Sequence, residues 1–325
     1  MNIERLADGL GAAEGPAFLP DGRFIFVEIW RSRVSVWTPA NGVQEYAYVG
    51  GGANSVLVCS DGSLLVTQNG GIDREWRAKD QRPPSIQRVS PAGEVEVLVT
   101  EIEGIPLSAP NDLAFGPDGK LYFTDPACGF SRTEPLRPGY IFSLDPDGTG
   151  RLVAEAGPTF PNGVTVEADG NVVWVESFTR AVRRYRVDTR RVEDICVLED
   201  PDAIPDGLKP ATNGDLYIAT VLTGGVNVVG ADGTDKGLLK GFGDYVSNVQ
   251  FRGSTLYVTD IGGGCRRCER SRGRRSRSAC DPSTSRTRHS QVIAVTAASF
   301  ADAWLRPSCS APRCSLTSRS RPRPW

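Results

Sequence analysis

The sequence predicts an all-β fold, a six-bladed β-propeller of four-stranded antiparallel blades. Three observations carry that prediction. An acidic or amide residue recurs eight positions ahead of a turn glycine: Glu14 before Gly22, Asn54 before Gly62, Asn111 before Gly119, Asn162 before Gly170 and Asp206 before Gly214. A sixth, shortened copy runs from Asn248 to Gly253, so the heads lie 40 to 57 residues apart, the period of a propeller blade. No sustained helical apolar period appears in residues 1–264, which excludes an α/β reading.

Each unit reads as strand, tight turn, strand. In the first, Pro16 to Leu19 precedes the turn Pro20-Asp21-Gly22, and Phe24 to Ile29 follows it. Two further strands, Val34 to Thr38 and Val43 to Val49, flank Asn41-Gly42. Asp-Gly and Asn-Gly between β-branched runs are strong hairpin signals, because such turns need positive φ. Asp21, Asp61, Asp118, Asp169 and Asn213 are therefore turn formers. Length alone allows two domains, but the repeat makes residues 1–264 one propeller. The innermost strand of each blade lines the channel, so the six heads form a ring of carboxylate and amide oxygens at one mouth.

The composition changes after Gly264. Residues 265–325 hold fourteen Arg, no Lys and three acids, with five of the eight Cys and the only His, His289. The rest of the chain is acidic. This segment reads as a non-homologous, frameshifted or disordered basic tail. A nucleic-acid arm and a zinc site at Cys265/Cys268 are weaker readings, since no second ligand pair follows. The last blade is accordingly expected to be incomplete, with Ile3 to Leu10 a candidate closing strand. Exposed sheet edges and poor solubility would follow.

Several function classes drop out. With no His outside the tail, the body cannot run a Ser-His-Asp or Cys-His mechanism. A zinc site of the usual imidazole kind lacks its ligands. No glycine-rich phosphate loop is followed by Lys. The acidic body disfavours nucleic acid, and no apolar run reaches the roughly 20 residues that span a bilayer. Without a signal-peptide pattern or a cysteine framework, a cytoplasmic location is expected. Carboxylate and amide chemistry around a hard cation remains.

Four segments carry a resemblance: Glu14-Gly15-Pro16, Pro110-Asn111-Asp112, Pro161-Asn162-Gly163 and Pro205-Asp206-Gly207-Leu208. In this order, over residues 12–264, they resemble the SMP-30/gluconolactonase (regucalcin-like) family of six-bladed, metal-dependent lactonases. The resemblance implies that Glu14, Asn162 and Asp206 hold one divalent metal ion. It implies that Asn111 contacts the substrate or the attacking water, and that Asp206 is also the general base. Two carboxylates with amide oxygens suit Ca²⁺ first, with Zn²⁺, Mn²⁺ or Mg²⁺ as alternatives. The expected partner is a small-molecule lactone, with neither nucleic acid nor membrane; the oligomeric state is left open.

Asn54 and Asn248 lie outside the ligand set that the resemblance implies and read as turn or cap residues. Asp125 and Asp260, ending strands, read as structural. Some sugar lactonases of the family carry an Arg two residues before the Asn-Asp pair; here Ala109 stands there. A less polar lactone or another ester, organophosphates included, is therefore an alternative substrate. Separate alternative functions are a non-catalytic calcium-binding propeller and a damaged, inactive gene product. The insertion from Arg74 to Pro84, with Trp76, reads as a plain loop, or alternatively as a lid over the mouth.

Overall fold

A computed structural model describes residues 1–127, 137–262 and 289–296. Six four-stranded antiparallel sheets form the blades of a propeller. The innermost strands are Ala13–Phe18, Ala53–Val58, Leu113–Phe115, Pro161–Val166, Ile204–Pro210 and Val246–Arg252, in blades 1 to 6. Helix is confined, among the described residues, to one 3₁₀ turn, Ile29–Arg31.

The five full-length turns form as the sequence predicts. Gly22 and Gly119 take φ of +88° and +79°, where a side chain would be strained. Each preceding polar residue accepts the backbone N–H two positions on: Asp21 from Arg23 at 3.0 Å, and Asp61 from Ser63 at 2.9 Å. Asp118, Asp169 and Asn213 do the same. These are local turn bonds, which explains why they are readable from sequence.

The blades adhere through apolar faces that alternate along their strands. Between blades 4 and 5, Val173, Val175 and Val182 pack on Leu208, Leu216 and Ile218. Fully burying one such side chain contributes about 1.5–3 kcal/mol.

Blade 6 departs from the sequence expectation. Ser290–Thr296 lies inside the segment that composition assigns to the tail, yet it is the third strand of a complete blade. It pairs antiparallel with Thr255–Asp260 on one side and Asn2–Leu10 on the other, so the N-terminal strand closes the ring as expected. The physical reason is the run Val292-Ile293-Ala294-Val295, whose side chains are buried. The inner edges that an incomplete blade would expose are thereby paired. The remaining tail, 265–288 and 297–325, lies outside the described residues. No helix among the described residues is long and apolar enough to cross a membrane.

Candidate active site

One cavity at the mouth of the channel receives Glu14, Asn111, Asn162 and Asp206, from blades 1, 3, 4 and 5. Asn54 of blade 2, read from sequence as a cap, lines it too. Asn248 of blade 6 is not in the lining but stands behind it, donating from Nδ2 to Glu14 Oε2 at 3.0 Å.

The inner strands deliver Glu14, Asn162 and Asp206 through a shared irregularity. Strand register slips between Glu14 and Ala17, between Pro161 and Val164, and between Pro205 and Leu208. Such bulges re-aim a side chain out of the sheet. The glycines after Asn162 and Asp206 have a steric cause. A Cβ on Gly163 would sit 2.3 Å from the Asp206 carbonyl oxygen, and one on Gly207 would sit 2.1 Å from Asn248 Cγ. Neighbouring inner strands converge there: glycine lets blade 4 meet the backbone of blade 5 at Gly163, and leaves room for the Asn248 side chain at Gly207.

A belt of hydroxyls fixes this convergence. Thr67 of blade 2 donates to the Asn111 carbonyl, Thr124 of blade 3 to that of Asn162, and Ser177 of blade 4 to that of Pro205. Ser247 of blade 6 donates to the Ala13 carbonyl at 3.2 Å. Each bond runs from one blade to the backbone beside the next blade's polar head. Nothing in the linear sequence announces this belt, because donor and acceptor are tens of residues apart.

Ser177 also fixes an orientation. Its proton goes to Pro205, so it can only accept from Asn162 Nδ2, at 3.1 Å. The Asn162 amide is thereby set with Oδ1 turned away, buried and without a hydrogen-bond partner among the described residues. A buried, unpartnered oxygen of this kind is costly unless a cation or water meets it.

The electrostatics point the same way. Burial pushes the Glu14 carboxyl up to about 7, with the Gly15 N–H opposing and the Asp112 charge adding. Asp206 is raised well above the ordinary carboxylate range, by burial first and then by Glu14 and Asp112. Arg74 and Asn162 pull it back down. These couplings bring Glu14, Asp112, Asn162 and Asp206 into one electrostatic neighbourhood. Asp112, which sequence reading left without a role, is 1% exposed. Its Oδ1 accepts from Ser55 Oγ at 2.7 Å, and its Oδ2 is buried without a hydrogen-bond partner among the described residues.

Unpaired carboxylates with a spare amide oxygen fit a hard divalent cation. No cluster of three or more His, Cys, Asp or Glu suited to a metal occurs among the described residues, so an amide must complete any such set.

Residues 12–262 match the family model described as the SMP-30/Gluconolactonase/LRE-like region. The chain belongs to this family. It is 27% identical over 293 residues to the gluconolactonase of Zymomonas mobilis, spanning 79% of this chain and 78% of that one. To the pentonolactonase XacC of Haloferax volcanii it is 28% identical over 275 residues, spanning 81% and 86%. Two solved structures share the fold. A gluconolactonase of Xanthomonas campestris superposes with TM-score 0.65 at 22% identity, over 80% of this chain and 86% of that one. The calcium-binding regucalcin of Agrobacterium tumefaciens gives 0.66 at 18%, over 88% and 90%.

Relative to the arginine-bearing pattern within the SMP-30/gluconolactonase family, this chain puts Ala109 in the cavity wall. Asp125 holds that segment, accepting backbone N–H bonds from Ser108 at 2.7 Å, Ala109 at 2.9 Å and Ala127 at 2.8 Å. Asp260 likewise accepts from Gly262 N at 2.7 Å, so both acids are structural, as the sequence suggests. The insertion is not a plain loop. Ile72–Asp73 and Trp76–Arg77 pair as a small hairpin, and Ile72, Asp73 and Arg74 line the cavity.

Proposed function

We propose that this chain is a metal-dependent lactonase that opens a sugar lactone to its hydroxy acid. In this reading Glu14, Asn162 and Asp206 hold one divalent ion, Ca²⁺ first, and Asn111 contacts the substrate. The observation that carries it is the convergence of these four side chains on one cavity, with Asn162 Oδ1 buried and without a hydrogen-bond partner among the described residues. The similarity to a gluconolactonase and a pentonolactonase supports the reaction class.

When bound, a hard cation would supply Lewis acidity toward the carbonyl and offset two carboxylates. The chain's own groups do the rest. Asn111 Nδ2 orients the lactone by donating to it. Asp206, ionised once a cation offsets Glu14, accepts a proton from the water that attacks the lactone carbonyl carbon. The tetrahedral intermediate then expels the ring oxygen, which takes that proton back as the C–O bond breaks. Ile29, Ile204, Val221 and Ile261 give the cavity an apolar side that limits bulk water.

Ala109 supports a second reading, an esterase acting on less polar substrates, because it places no donor at that point of the wall. Assay by pH-stat against γ- and δ-lactones, simple esters and an organophosphate separates the two. The lactonase reading expects turnover of lactones that chelation abolishes and the divalent ion restores. Lactones left intact by metal-loaded protein would sink it.

A further inference from the structure

The cavity has two chemically distinct sides. Blades 1, 5 and 6 contribute Ile29, Ile204, Val221 and Ile261, backed by Trp30 and Trp76. Blades 2 and 3 contribute amides, Asn54, Asn69 and Asn111. Among the described residues a single cation lines it, Arg74, carried by the insertion hairpin rather than by any blade strand.

That hairpin is a strap across the mouth. It leaves blade 2, yet Trp76 packs in the cluster formed by Ala12, Ile29, Ile204, Val221, Tyr245 and Ile261. Trp30 Nε1 donates to Asp73 Oδ2 at 2.7 Å and pins the turn from blade 1. Asp73 pairs with Trp76, so Arg74 and Glu75 form the tip, and Arg74 takes φ of +50°. A non-glycine residue held there is strained, and such strain persists where surrounding contacts over-determine it.

The Arg74 guanidinium is under-used. Its one ion pair among the described residues is to Asp73 at 3.9 Å, and Asp73 already accepts from Trp30. Its charge acts across the cavity on Asp206, a counterweight to the burial and the acids that raise that group. An arginine fork with spare donors at the cavity rim matches a carboxylate, which it binds bidentately.

Resting on the lactonase reading, we infer that Arg74 selects lactones bearing a second, free carboxylate, as in the lactone of a sugar dicarboxylic acid. The ring would lie between the amide and apolar sides with its carbonyl toward Asp206, and the distal carboxylate would meet Arg74 under the strap. Arg74 is then a specificity-determining residue that takes up from the hairpin the donor role missing at Ala109.

The test compares D-glucaro-1,4-lactone with D-glucono-1,4-lactone, which share a ring and differ in a terminal carboxylate against CH₂OH. With the metal-loaded full chain, kcat/KM is expected to favour the carboxylate-bearing lactone. In Arg74→Met that preference falls about 30-fold, through KM, the scale of a lost charge-assisted hydrogen bond. Arg74→Lys retains part of it. Arg74→Gly, which relieves the positive φ and so keeps the hairpin foldable, matches Arg74→Met. Thermal stabilisation by D-glucarate over D-gluconate, lost in Arg74→Met, reads binding without turnover. A preference that survives in both Arg74→Met and Arg74→Gly overturns the inference, as does a wild-type preference for the neutral lactone. Lactone turnover without carboxylate discrimination sinks this inference and leaves the lactonase reading standing. Arg74-dependent glucarate binding without turnover of any lactone sinks the lactonase reading and with it the selection of lactones, leaving only carboxylate recognition at Arg74.

Discussion

Asn248 Nδ2 donates to Glu14 Oε2 at 3.0 Å, joining the last blade to the first across the closure of the ring. The same amide accepts from Val249 N at 2.8 Å through Oδ1, so its cap role and its support of Glu14 coexist. Outer-shell partners of this kind tune metal affinity by 10–100-fold. Asn248→Ala is therefore expected to weaken divalent-ion binding about 10-fold with the propeller still folded. Calorimetric titration of the chelated variant checks this, and wild-type affinity would show that Glu14 needs no such support.

Metal-free protein should lose stability as pH rises. Glu14 has a folded-state pKa of about 7 against its ordinary 4.5, and Asp206 is raised in the same direction. A raised carboxyl adds stability that is full below 4.5 and lost as pH climbs through 7. Melting of the chelated protein between pH 5 and pH 8 should fall by roughly several degrees. Added divalent ion should flatten the trend, since metal takes the place of the protons. A melting temperature that climbs over this range would contradict the coupling.

Gly163→Ala probes the convergence of blades 4 and 5. The new methyl would lie 2.3 Å from the Asp206 carbonyl oxygen, backbone that cannot swing aside. A cost of about 1–3 kcal/mol is expected from overpacking, with ion affinity lowered as Asp206 is displaced. Urea unfolding and ion titration together test it. A neutral substitution would mean the strands can part.

Ser177→Ala removes the hydroxyl that accepts from Asn162 and donates to Pro205. Asn162 would then lose the contact that holds Oδ1 turned away, and ion affinity should drop about 10-fold, with stability lowered by roughly 1 kcal/mol. Ser177→Thr keeps the hydroxyl and should restore both. Failure of that rescue would assign the loss to packing instead.

What the sequence made legible was local or repeated. The Asp-Gly turns are decided within four residues, and the heads recur eight positions before a turn glycine. Glu14, Asn162 and Asp206 accordingly fall on equivalent inner strands, and Asn111 just ahead of one. The third strand of blade 6 was obscured because the Arg- and Ser-rich stretch before His289 masks the short run Val292 to Val295. Asp112, Arg74 and the hydroxyls of Thr67, Thr124 and Ser177 gain their roles only from blades brought side by side. The three hydroxyls reach acceptors 28 to 44 residues away and Asp112 meets Ser55 57 residues back, so no period or spacing marks them. Asn54 has the same head position as the others, yet only the cavity shows that it faces inward.

The most direct test titrates Ca²⁺ into chelated wild-type protein and into Glu14→Gln, Asn162→Ala and Asp206→Asn, with binding followed by calorimetry. One ion per chain is predicted for the wild type, and each substitution should weaken it by about 100-fold or more. Binding that survives all three substitutions would place the ion elsewhere and contradict a shared site at the mouth of the propeller.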